Sequence, residues 1–139
     1  MKQFLLNMQS LLGLCILASF TMIACNSYGK KLSFGKNEVY YKGDATEADA
    51  QKLGSYLKEG DKYFDEHTAF AVQVERHGSV YTTRLVVDNT KIKSASDIEE
   101  KRYEFIPEEL SKNVFNGLPV TVEITDNHFR PLKSFRNRS

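Results

Sequence analysis

The chain has 139 residues, with 19 basic and 18 acidic side chains and two cysteines. This length is enough for one modest domain, and nine phenylalanines and seven tyrosines help to supply its core. The balanced charge argues against a nucleic-acid-binding protein, because such proteins show an excess of basic residues. Two cysteines also argue against a fold that several disulfides hold together.

The amino-terminal segment is the strongest feature of the sequence. An almost uninterrupted apolar run extends from Phe4 to Ala24, and Lys2 precedes it. A positive start, an apolar stretch such as Leu11–Phe20 and a small residue before the cleavage point are typical of a secretory signal peptide. Removing residues 1–24 leaves 115 residues with 18 basic and 18 acidic side chains, since Lys2 is the only charged residue removed.

The end of the apolar run, Met22-Ile23-Ala24-Cys25, resembles the lipobox of bacterial lipoproteins, although Met22 replaces the preferred leucine. In that family the cysteine thiol receives a diacylglycerol, the chain is cut before it, and the new amino terminus is acylated, for example by palmitate. The resemblance therefore implies cleavage between Ala24 and Cys25 and lipid on Cys25. Cys15 lies in the removed segment, so Cys25 would be the only thiol left, and lipid attachment explains an unpaired thiol in an exported protein.

Two alternatives to the lipoprotein interpretation stay open. The 21-residue run is near the roughly 20 residues that a membrane-spanning helix needs, so it also fits an uncleaved anchor. Plain secretion is the other alternative. In each case the domain lies outside the cytoplasm, on the periplasmic or cell-surface side. The predicted division is a signal peptide at residues 1–24, a lipid-attached tether at 25–36 and one domain at 37–139.

The first half of the domain predicts a strand, a helix and a hairpin. Residues 38–41 are a short β-like run, which pairs with residues 32–34 across a turn in one interpretation. A helix is predicted from the cap at Thr46 to Gly60. Alternation in residues 70–75 and an apolar run in 80–87, separated by a turn, indicate a β-hairpin.

The second half repeats the succession of helix and hairpin. A helix is predicted over Asp97–Phe115, with a kink or a division into two helices at Pro107. Residues 120–125 alternate as a strand, and a last strand at 129–135 is predicted at the sheet edge because it contains Pro131. The order β-α-β-β-α-β-β predicts a two-layer α+β domain with a mainly antiparallel sheet and both helices on one face. The helix–hairpin unit occurs twice.

Several short patterns resemble a recurrent bacterial module of unassigned chemistry. They include Leu53-Gly54-x-Tyr56-Leu57, the pair Tyr63-Phe64, Arg84-Leu85-Val86-Val87 and Leu110-Ser111-x-x-Val114-Phe115-x-Gly117. The resemblance covers most of the chain after residue 24. It implies the fold and a bacterial origin, and it assigns no catalytic residue.

No constellation of residues predicts a catalytic, metal or cofactor site. His67, His77 and His128 show no pair at helical metal-ligand spacing, and each falls in a predicted loop or turn. No serine lies in the strained Gly-x-Ser-x-Gly setting of a hydrolase. The alternative of a small envelope hydrolase or metal-dependent enzyme would use the loop Asp61–His67.

Two surface features favour binding. After Asp126 the sequence contains four basic residues and no acidic one, which predicts a cationic strip formed by Arg130, Lys133, Arg136 and Arg138. Such a strip suits either an anionic envelope surface or the protection of an edge strand. Tyr40 and Tyr41 point to opposite sheet faces, so one of them is expected to be exposed unless the second face is covered.

The sequence thus favours a lipid-anchored binding or interaction domain of the bacterial envelope. Its partners would be the membrane, through the lipid on Cys25, and an unidentified envelope protein or polymer. We expect no nucleic acid, no cofactor and no pocket that gathers three or more ionisable groups. The alternatives are the enzyme that uses the Asp61–His67 loop and an immunity-type or inhibitor lipoprotein.

Overall fold

Helices alternate with β-hairpins along the chain. The computed structural model describes residues 27–59, 69–87 and 90–137. The hairpins in these ranges are β1–β2 (Lys30–Phe34 and Asn37–Gly43), β3–β4 (Ala71–His77 and Val80–Val86) and β5–β6 (Val120–Thr125 and Pro131–Arg136). Between the first two hairpins lies α1 (Glu47–Glu59). A 3-10 turn (Ala95–Asp97), α2 (Glu100–Tyr103) and α3 (Ile106–Asn113) precede the third hairpin.

The six described strands form one mixed sheet in sequence order. Each hairpin is antiparallel, but β2 pairs with β3 and β4 pairs with β5 in parallel. A parallel pairing follows wherever a helical segment carries the chain back to the end of the sheet at which the preceding strand began. The predicted α+β class is confirmed, and the helix–hairpin succession recurs in α1–β3–β4 and α3–β5–β6. The predicted order differs in detail, because two pairings are parallel.

The other difference concerns the strand β1: its pairing with β2 confirms the interpretation that residues 32–34 pair with residues 38–41, whereas the predicted domain boundaries place β1 in the tether. In β1, Leu32 and Phe34 pack against the core, whereas Lys31 and Ser33 are exposed. Such an alternation of partly buried and exposed residues is typical of an edge strand that exposes one face to solvent. The consecutive residues Lys30 and Lys31 weaken the sequence signal for this strand, because charged residues lower the apparent β propensity of so short a segment.

The core lies between one face of the sheet and the helices. The strand register aligns Val39, Val72, Leu85 and Ile124 in one row across four strands. All four side chains belong to a single buried cluster, which Leu53 of α1 and Leu110 of α3 join from the helical layer. Because one cluster includes both helices and this row, the helices cover the same face of the sheet.

Local signals fix the helix boundaries. The hydroxyl of Thr46 accepts a hydrogen bond from the backbone N–H of Asp49, and the Asp49 carboxylate accepts one from the N–H of Thr46, so the predicted cap is confirmed. The predicted division at Pro107 is also confirmed. Pro107 lies in the first turn of α3, where a helix does not need the N–H that proline lacks.

Candidate functional site on the helix-free face

A row of mainly polar side chains crosses the face of the sheet that the helices leave uncovered. Side chains alternate between the two faces of a strand, so the neighbours of the core residues point to this second face. The register aligns one such residue from every strand. From β1 to β6 they are Lys31, Tyr40, Gln73, Arg84, Glu123 and Ser134.

Arg84 is the centre of an ion-pair network on this face. Its Nε donates to Oε2 of Glu123 over 2.7 Å. Its Nη1 lies 2.6 Å from Oε2 of Glu75 and 2.7 Å from Oε1 of Gln73. Glu75 also contacts Lys42, at 3.6 Å. The network therefore joins the four strands β2 to β5. Its positive side chains, Arg84 and Lys42, equal in number its negative side chains, Glu75 and Glu123.

The side chains that form these ion pairs are partly buried. The side chains of Arg84, Glu75 and Glu123 are 16%, 15% and 17% exposed. Burial alone would raise the pKa of Glu75, but hydrogen bonds from Arg84 and His77 outweigh it and hold that pKa below its ordinary value. Burial would lower the pKa of Arg84, and the carboxylates of Glu75 and Glu123 raise it instead. Glu75 is thus a weak base, which suits a structural ion pair better than proton transfer.

Three aromatic rings cover the same face beside the network. Tyr28, Tyr40 and Phe129 pack edge to face, with ring centroids 5.3 to 6.0 Å apart. Each such pair contributes about 0.5–1.5 kcal/mol beyond the area it buries. Tyr41 packs against the core, and Tyr40 is half-buried beneath Tyr28 and Phe129. The second face of the sheet is therefore covered at this point.

A rigid turn holds Phe129 over the sheet. Oδ1 of Asp126 accepts hydrogen bonds from the backbone N–H groups of His128 and Arg130, and Oδ2 accepts one from Nε of Arg130. The backbone N–H of Arg130 makes the largest contribution to a lowered pKa of Asp126. Phe129 has a φ of 57°, a strained conformation for a non-glycine residue. Its ring contacts with Tyr28 and Tyr40 compensate for this strain.

The residues just before β1 complete this cover, and we call residues 27–29 the strap. The carbonyl oxygen of Tyr28 accepts a hydrogen bond from Nε2 of Gln73 over 3.0 Å, and Gln73 is only 2% exposed. The Tyr28 hydroxyl lies 3.1 Å from Nδ1 of His128. Gly29 makes the turn into β1 with a φ of 89°, and a Cβ there would lie 2.3 Å from the carbonyl oxygen of Tyr41. The strap thus needs glycine at this position.

Two of the four basic residues predicted to form a cationic strip make ion pairs with acidic residues. Arg130 pairs with Asp126, and Lys133 pairs with Glu100 of α2 while lying over the ring of Phe135. Arg136 lies elsewhere, in the wall of a surface depression. Arg138 is outside the described residues.

That depression lies between the edge strand β6 and the junction of α2 with α3. Its volume is about 390 Å³, and its lining consists of Glu104, Phe105, Glu108 and Arg136. Phe105 is 44% exposed, which is unusual for a large apolar side chain in this protein. The expectation of no pocket with three ionisable groups is therefore wrong, because strand β6 brings Arg136 beside two glutamates that lie 28 and 32 residues earlier in the chain.

The remaining predicted site residues lie outside the described residues. These are Ala24, Cys25 and the loop Asp61–His67. Of the histidines that are described, His77 pairs with Glu75 and His128 contacts Tyr28. Within residues 27–59, 69–87 and 90–137, no group of three or more His, Cys, Asp and Glu side chains is placed to hold a metal ion. None of the helices in these ranges is both long and apolar enough to cross a membrane.

The site that the sequence prediction misses is the Arg84 network with its aromatic cover. Gln73, Arg84 and Glu123 each occupy an outward position between two buried residues of their strand. Opposite charges at such positions are the available signal, but they identify a network only when the strand register is known. Nothing in the composition of residues 27–29 indicates that they return over the sheet.

Comparison with known proteins identifies a family. The model of the AF_1994_N family, described as a family N-terminal domain, matches residues 31–137 of this chain. The match covers well over half of the 139 residues, so the chain belongs to this family. The predicted resemblance to a recurrent module is confirmed at this level, and the description of the family names no activity. No curated protein and no solved structure matches the chain.

Proposed function

We propose that this protein is a lipid-anchored binding domain of a bacterial envelope, held on the outer side of a cytoplasmic or outer membrane by lipid on Cys25. The observation that carries the proposal is the position of Cys25. Cys25 follows an apolar run of signal-peptide type. It lies three residues before Tyr28, the residue of the strap that contacts the sheet.

The cysteine content of the sequence supports lipid attachment at Cys25. Once residues 1–24 are removed, Cys25 is the only thiol, because the other cysteine of the sequence is Cys15. Two or three acyl chains, at about 0.8 kcal/mol for each buried CH₂ group, hold a protein stably on a membrane. The family domain begins at residue 31, so anchor and folded domain are almost contiguous.

The binding role is supported by the β6 edge. An exposed Phe105 beside Glu104, Glu108 and Arg136 combines an apolar contact with charges of both signs. Aromatic and arginine side chains are enriched where proteins contact one another. The expected partner of this surface is an envelope protein or polymer that presents an apolar group next to a cationic or mixed-charge surface.

The test is incorporation of labelled palmitate into the full chain in a bacterial host. Wild-type protein should carry the label and sediment with membranes. Cys25→Ala should lose the label, whereas the matched variant Cys15→Ala should keep it because Cys15 lies in the removed segment. Label that persists in Cys25→Ala, or that is absent from the wild type, would overturn the proposal.

A further inference from the structure

The distance between the lipid and the folded domain is limited by the chain that joins them. Cys25 and Tyr28 are three residues apart. A fully extended chain spans at most about 3.3–3.6 Å for each residue, so the link cannot be longer than about 11 Å. A link this short restricts which surface of the domain can approach the membrane.

The strap determines that surface. Tyr28 is fixed on the helix-free face by its carbonyl contact with Gln73 and by its ring contacts with Tyr40 and Phe129. Gly29 is packed against β2, so the strap has little freedom to swing away from the sheet. The short link therefore begins on the helix-free face and not at an end or edge of the sheet.

We infer that the helix-free face around Tyr28 and His128 lies against the lipid leaflet and that the helices point away from it. This inference rests on the proposed lipid on Cys25. The surface suits the interfacial region, because Tyr28 and Tyr40 are amphipathic rings and His128 is an exposed polar group beside them. Tyrosine is enriched at the boundary between lipid and water.

This orientation can be measured with single reporter cysteines. Acylation occupies the thiol of Cys25 and cleavage removes Cys15, so an introduced cysteine is the only free thiol of the mature protein. Asn127→Cys places a fluorophore next to His128, and Gln51→Cys places one on the exposed side of α1. Both positions are exposed amides. The purified lipidated protein is inserted into phosphatidylcholine vesicles that contain a lipid with a nitroxide on its headgroup.

The nitroxide should quench the fluorophore at position 127 several-fold more than the one at position 51. A helix about 10–12 Å in diameter separates position 51 from the sheet, which is enough to change collisional quenching strongly. Equal quenching, or stronger quenching at position 51, would overturn the inference.

Variants of the strap test whether the strap determines the orientation of the domain on the membrane. Gly29→Ala introduces a clash with β2, and Tyr28→Ala removes the ring without straining the backbone. Both should reduce the difference between the two positions while lipid remains attached. The matched control is Gly35→Ala, at another glycine with positive φ but with no atom near its Cβ position, and it should preserve the difference.

Two further results would contradict a role for the strap. One is a difference that persists in both Gly29→Ala and Tyr28→Ala. The other is a difference that arises only when anionic lipid is added, since charge and not the strap would then orient the domain. Failure of palmitate incorporation would instead overturn the proposed function itself, so the two failures are distinguishable.

Discussion

On one face of the sheet aliphatic side chains pack beneath the helices, whereas on the other face charged side chains pair with one another. Val72, Val74 and Val122 on the first face are fully buried and belong to the apolar core cluster. Glu75, Arg84 and Glu123 on the second face keep about one sixth of their side-chain surface exposed. The first face is stabilised by the burial of apolar surface. On the second face each partly buried charge is compensated by an ion pair.

The difference also concerns how each face is covered. The helices α1 and α3 pack on the apolar face. Among residues 27–59, 69–87 and 90–137, the strap and the turn at residues 126–130 cover part of the polar face and meet through Tyr28 and Phe129. Because the strap is also the start of the first described segment, the chain enters the domain on the polar face. The strap and the ion-pair network thus share the face that the proposed orientation turns toward the membrane.

The largest expected effect is on the helix-covered face. Leu53→Ala removes a fully buried side chain of α1 and should lower the free energy of unfolding by about 2–5 kcal/mol, as leucine truncations in cores do. Urea denaturation measures the loss. Lys52→Ala, at the exposed neighbouring position, should change the free energy by no more than about 0.5 kcal/mol. Equal effects of the two changes would show that α1 does not cover this face.

A smaller effect is expected on the helix-free face. Arg84→Met should lower the free energy of unfolding by about 1.5–3 kcal/mol, because Glu75 and Glu123 lose a charged hydrogen-bond donor. Adding Glu75→Gln and Glu123→Gln to that variant should recover part of the loss, since the uncompensated charges are then removed. A triple variant less stable than Arg84→Met would contradict the interpretation of a self-satisfied network.

The smallest effect is the pH dependence of the same network. The pKa of Glu75 is lower in the folded protein than its ordinary value of 4.5, so its stabilising effect is complete above that value and is lost as the pH falls through the folded pKa. Glu75→Gln should therefore differ most in stability from the wild type near neutral pH, and this difference should shrink in acid. Denaturation in urea at several pH values measures it, with the exposed Glu99→Gln as control. A difference that is constant with pH would contradict the lowered pKa.

The sequence predicts the features that local patterns determine. Alternation in residues 120–125 correctly predicts β5, the Thr46 cap correctly predicts the start of α1, and Pro107 correctly predicts the division of the second helix. Each of these depends on neighbours within a few residues, so one sequence contains the whole signal.

Features that depend on partners far along the chain are not predicted. The parallel pairing of β2 with β3 depends on how the chain returns after α1, and nothing in either strand encodes it. The Arg84 network joins residues 9 to 39 positions apart. The contact of Tyr28 with His128 spans 100 positions, so residues 27–29 are indistinguishable from a tether until the structure is known.

The most direct test of lipid anchoring is the mass of the amino-terminal peptide of the protein purified from membranes. The proposal predicts a peptide that begins at Cys25 and carries the mass of a diacylglycerol on its thiol. The next residues, Asn26, Ser27 and Tyr28, should be unmodified. A peptide that begins at Met1, or one that begins after residue 24 without added lipid, would contradict it.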